Sequence, residues 1–82
     1  MNNNNIIDDQ NKWSDIARGL LKAELVKRNI SFKDLANLLK EEFEINENPT
    51  NLSNKIARGT FSASFMVQCL KVIKCDNLRI EW

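Results

Sequence analysis

Five apolar residues, Phe32, Leu35, Ala36, Leu39 and Phe43, fall at i, i+3, i+4, i+7 and i+11 directly after Ser31. That spacing puts them on one face of an amphipathic helix, and Ser31 has the short hydroxyl side chain that caps helix starts. Asp34 places a carboxylate in the first turn, where the helix dipole favours negative charge. The segment Asn46–Pro49 closes this element, because the residue before a proline avoids helical backbone angles.

The same period recurs on either side. Trp13, Ala17, Leu20, Leu21 and Leu25 predict a first helix from about Trp13 to Arg28, with Lys27 and Arg28 in its last turn. Leu52 and Ile56 lie one turn apart and predict a short third helix, about Asn51 to Arg58, capped by Thr50. Gly59 follows and suits a left-handed C-terminal cap. Phe65, Met66, Cys69, Leu70 and Ile73 predict a fourth helix, about Ala63 to Lys74, capped by Ser62 or Thr60. Leu78, Ile80 and Trp82 alternate with Arg79 and Glu81, the period of a short strand. A lone strand needs a partner, so the segment is expected to dock on the domain or to pair with a second copy, with these three residues as the contact of a homodimer.

The fold class that follows is all-α: a compact four-helix domain of the helix-turn-helix kind over residues 13–82, with a lengthened turn and a short C-terminal strand. One proline and two glycines among 82 residues leave few interruptions to helices. Residues 1–12, with four asparagines in a row, carry too little apolar surface to repay ordering and read as a disordered tail.

Composition narrows the functions. No run of about 18 apolar residues exists, so no membrane span is expected. Cys69 and Cys75 lack the spacing of a disulfide framework and read as reduced thiols of a cytoplasmic protein. With no histidine and only two cysteines, no metal or other cofactor is expected. An enzyme is equally unsupported: neither thiol has an imidazole to activate it, and the carboxylate pairs Asp8/Asp9 and Glu41/Glu44 lie in segments read as solvated.

Net charge is only +1, but its distribution is uneven. Residues 1–47 carry 7 basic and 9 acidic groups, whereas residues 48–82 carry 5 basic and 2 acidic ones. No acid occurs from Asn48 to Cys75, although Lys55, Arg58, Lys71 and Lys74 do. With Leu52 and Ile56 turned inward, Asn51, Asn54, Lys55 and Arg58 share the outer face of the third helix. Asparagine can pair with adenine in the major groove and arginine with guanine, while lysine and arginine also hold phosphates. Thr50, Ser53 and Thr60 add hydroxyls near the helix ends, and Lys33 a further cation at the start of the second helix. The expected partner is double-stranded DNA. The acidic run Glu41, Glu42, Glu44 and Glu47, with Phe61 and the Leu78–Trp82 segment, supports the alternative of a protein-protein interaction module, an adaptor or antitoxin-like partner.

A resemblance bears on this choice. The stretch LKAELVKRNISFKDLA, residues 21–36, resembles the first two helices of the λ-repressor-like (XRE-type) helix-turn-helix family. The stretch NLSNKIARGTFSASFMVQCLKVI, residues 51–73, resembles its recognition helix and the core helix that follows. The layout NKI-RG-F-A-F--QCL is also similar to that of a group of small bacterial proteins of unassigned function. What the helix-turn-helix resemblance implies is a transcriptional regulator whose third helix enters the major groove. Two departures stand out: Phe32, followed by Lys33, occupies a place where members often carry glutamine, and Glu41–Pro49 lengthens the turn.

Overall fold

The computed structural model of the chain describes the backbone of residues 4–82 and the side chains of residues 11–82. Among the described residues four helices follow one another: α1 (Asn4–Lys27), α2 (Phe32–Phe43), α3 (Pro49–Arg58) and α4 (Ala63–Val72). Helix α3 packs against both α1 and α2, and α4 packs against α2. Among the described residues, no helix is long and apolar enough to cross a membrane.

Helix α1 starts well before Trp13, and its backbone runs through most of the segment expected as a tail; residues 1–3 lie outside the described residues. No glycine or proline occurs before Gly19, so a helix nucleated over the core-facing stripe meets no breaker as it extends toward the N-terminus. At its other end Asn29 takes a left-handed conformation (φ 57°), and the Ile30 amide donates to the Leu25 carbonyl at 2.9 Å. These contacts satisfy carbonyls the helix end leaves open.

Helix α2 has a complete capping box. The Ser31 hydroxyl accepts from the Asp34 amide at 3.0 Å, and the Asp34 carboxylate accepts from the Ser31 amide at 3.1 Å. The helix stops at Phe43, earlier than the Asn46–Pro49 segment, because Glu44 turns left-handed (φ 58°) and its amide closes onto the carbonyls of Leu39 and Lys40. The cap of α3 also differs from expectation. Asn48, not Thr50, is the cap: its side-chain oxygen accepts from the Asn51 amide at 2.7 Å, and Pro49 occupies the first helical position. Proline's fixed φ suits that position, and its missing N–H costs nothing there. Ser62 caps α4 by accepting from the Phe65 amide at 3.0 Å.

The core holds Leu21 and Leu25 from α1, Leu35, Ala36 and Leu39 from α2, Leu52 and Ile56 from α3, and Phe65, Cys69 and Ile73 from or just after α4. All ten come from the helical stripes. Trp13 departs from its stripe and stays 49% exposed, because it lies on a part of α1 outside the core cluster.

The C-terminal strand is not present. Among the described residues, 75–82 contain no strand, since no second extended segment lies alongside to share backbone hydrogen bonds. The segment instead folds back along α1. Near its start the Cys75 thiol donates to Glu24 at 3.6 Å, and at its end Trp82 meets Trp13 edge-on with ring centroids 5.8 Å apart.

Glu24, on α1, is the one buried charged residue of the described set and is 5% exposed. Its burial would raise the carboxyl pKa. Hydrogen bonds from Arg28 and Lys27, Lys27's charge and the Cys75 thiol outweigh that and hold it below the ordinary value of 4.5. The unfolded chain therefore binds a proton on Glu24 more readily than the folded one. The stability this group contributes is present above pH 4.5 and is lost as pH falls through the folded value. Thermal unfolding followed from neutral to acid pH should show a falling midpoint below that range, and Glu24→Gln should flatten the fall. Identical pH profiles for the two proteins would assign the acid sensitivity to other carboxylates.

Candidate nucleic-acid interface

Helix α3 packs with Leu52 and Ile56 fully buried, and this fixes which of its polar residues face outward. Thr50, Asn51, Asn54 and Arg58 are exposed, as is Thr60 just beyond the helix; Ser53 and Lys55 are half-buried. The orientation is held at the C-terminal end by Gly59. This residue takes φ +68°, caps α3, and lies so close to α1 that a Cβ would sit 2.2 Å from the Ser14 carbonyl oxygen. The chain needs glycine there for two independent reasons, backbone angle and space.

Lys33, at the start of α2, joins this surface across a shallow groove. The groove runs between α2 and the beginning of α3, and Lys33, Asn37, Lys40, Glu47, Asn48 and Asn51 contribute to its walls. Lys33 and Asn51, distant in sequence, thus border one concavity. Lys40 is turned to the connecting loop, donating to Asn46 at 3.1 Å.

Lys55 is arranged differently from its expected role. Its ammonium pairs with Glu47 at 3.0 Å and sits 4.3 Å from the centroid of the Phe65 ring. It is one helical position from Ile56 and points toward the connecting loop and α4 rather than straight outward. The charge asymmetry read along the sequence is partly cancelled in space, because Lys71 likewise pairs with Glu42 at 2.8 Å. Among the described residues, Lys33, Arg58 and Lys74 have no ion-pair partner, and neither do Glu41 and Glu44.

Two features escaped the sequence. The Glu24–Arg28–Lys27 cluster was legible only as i, i+3 and i, i+4 spacings that occur on many solvated helices. The Glu47–Lys55 pair joins residues whose distance depends on how the loop after α2 folds back, which periodicity does not encode.

Both cysteine thiols are shifted away from the thiolate form. Burial pushes the Cys69 thiol up to about 12, with Lys55 pulling it down and Glu47 pushing it up. Burial and then the neighbouring Glu24 carboxylate raise Cys75 as well. Both thiols are free. Thiolates are the reactive form, so both shifts disfavour reactivity.

No curated protein and no solved structure matches the chain. Residues 13–78 match the family model described as Domain of unknown function (DUF6471), a span that begins inside α1 and closes in the segment folded back along it. The matched span takes in all of α2, α3 and α4, so the unit that carries the α3 surface lies inside it, and the chain belongs to the DUF6471 family.

Proposed function

We propose that this chain is a small non-catalytic DNA-binding protein of the helix-turn-helix kind, a transcriptional regulator that presents α3 to the major groove. The observation that carries the reading is the outer face of α3, where Thr50, Asn51, Asn54 and Arg58 are exposed together with no acid among them. Lys33 stands across the groove from the start of that helix. Asn51 and Asn54 have the amide geometry to read adenine, while Arg58 and Lys33 hold phosphates on either side. Thr50 and Thr60 add hydroxyls at the helix ends. Ser53 and Lys55 play a lesser direct part, since both are half-buried. The resemblance of residues 21–36 and 51–73 to λ-repressor-like helix-turn-helix proteins agrees with this arrangement, and the five-residue connection between α2 and α3 leaves the α3 face open.

Selection of duplexes from a random pool tests the reading. Wild type should enrich a defined sequence, and Asn51→Ala with Asn54→Ala should lose about tenfold or more of the preference for it. Its binding to unrelated duplexes should stay unchanged, because phosphate contacts carry no sequence information. A pool that gains no consensus would contradict base reading by α3.

The exposed aromatic pair favours a second reading, a protein-interaction module. Trp82 is 86% exposed and Trp13 49%, with Ile80 also exposed. Aromatic side chains of this kind are enriched at interfaces. In this reading a second copy of the chain covers that end of the molecule through Leu78, Ile80 and Trp82, by packing rather than by strand pairing.

A further inference from the structure

We propose that the Glu47–Lys55 ion pair is a built-in restraint on nucleic-acid binding: Glu47 withholds Lys55 from the α3 surface, and phosphate must displace the carboxylate to recruit it. This rests on the reading of α3 as the DNA-facing helix.

Three observations support it. First, Lys55 is the only lysine of α3, and its stem leaves the helix between the buried Ile56 and the exposed Asn54. A long flexible side chain at such a position reaches either the loop beside the helix or the outer surface. Second, Lys55 has two ligands in its inward position. The Glu47 carboxylate lies at 3.0 Å and the Phe65 ring face at 4.3 Å, within the range of a cation-π contact. Glu47 is the more buried of the pair, its side chain 18% exposed against 36% for Lys55, so the pair is less screened than one on open surface. Third, Glu47 also forms part of the groove bordered by Lys33 and Asn51. A phosphate entering that groove meets a negative charge as well as a competitor for the lysine.

The consequence is a surface whose resting charge is lower than its sequence suggests and whose full charge is expressed only when an anion takes the place of Glu47. Phe65 gives Lys55 a second resting contact, so removing Glu47 leaves the lysine next to a neutral ring that competes weakly with phosphate.

The test is duplex affinity at several salt concentrations for wild type, Glu47→Gln and the double variant Glu47→Gln/Lys55→Met, each checked for an unchanged helical spectrum and thermal midpoint. A mixed-sequence duplex serves as the probe. Glu47→Gln is expected to bind several-fold tighter at low salt, with the slope of log affinity against log salt steeper by about one, the signature of one more phosphate neutralised. The double variant should lose both gains. If wild type binds the duplex and Glu47→Gln binds it no better, the restraint does not exist. If the gain persists without Lys55, Glu47 acts by repulsion alone and the proposed exchange is wrong. If none of the three proteins shows salt-sensitive binding, the DNA reading itself fails, and the restraint with it.

Discussion

Replacing Gly59 by alanine should cost this domain about 2–5 kcal/mol, a large share of its whole stability. The cost has two parts. An L-residue forced into the left-handed region costs about 1–2 kcal/mol. The methyl group must also be accommodated where backbone already stands, 2.2 Å from the Ser14 oxygen and 2.9 Å from its carbonyl carbon. Backbone cannot rotate away as a flexible side chain does, so α1 and the end of α3 must separate, a shift of the kind that costs about 1–3 kcal/mol in overpacked interiors. A domain of this size has roughly 4–12 kcal/mol in total. The other glycine supplies the control. Gly19 lies within α1, and a methyl group added there would meet nothing within 4 Å. Gly19→Ala should therefore stabilise by up to about 1 kcal/mol through helix propensity. Thermal unfolding by circular dichroism should move the two midpoints in opposite directions. Equal midpoints for Gly59→Ala and wild type would mean that α1 and α3 do not approach as described.

The second large effect concerns binding. Lys33→Glu with Arg58→Glu should lower duplex affinity about a hundredfold at low salt, with a shallower salt slope by about two. Both residues are exposed and neither has an ion-pair partner among the described residues, so reversal leaves no internal charge orphaned and the fold should be unaffected. Lys74→Glu is the matched control. It too lacks an ion-pair partner among the described residues, but it follows α4, and its reversal should change affinity far less. If the Lys74 variant loses as much as the Lys33/Arg58 pair, attraction is general to the molecule and not a property of the α3 surface.

The parts of the fold legible in the sequence are those governed by local rules. The stripes of α2 and α4 named their buried residues, because a period of 3.6 determines a face wherever the helix docks. Ser31 and Gly59 announced their caps through chemistry that few other residues share. Asn48 was legible in principle, since asparagine before proline matches a cap followed by a first helical residue, but Thr50 offered an equally good hydroxyl two positions later. The C-terminal alternation misled because a period of two describes any extended segment, and only a neighbouring backbone makes one a strand. Here the neighbour is a helix, whose own amides are already paired.

The candidate site was legible as a set of residues and not as a charge pattern. Asn51, Asn54 and Arg58 face outward because Leu52 and Ile56 face in. Whether Lys55 and Lys71 are available depended on Glu47 and Glu42, and those pairings are set by tertiary packing. Counting charges along the chain overstated the positive surface near α3 and missed that part of the acidic segment serves to neutralise it.

Whether α3 and Lys33 form a phosphate-facing surface is tested most directly by fluorescence anisotropy of a labelled mixed-sequence duplex, titrated with the wild-type protein from low to physiological salt. The expected result is binding at low salt whose log affinity falls against log salt with a slope of about −2 or steeper, as neutralising two or more phosphates requires. No binding at low salt by protein whose circular dichroism is helical would contradict the claim and leave the exposed Trp13–Trp82 end as the functional surface.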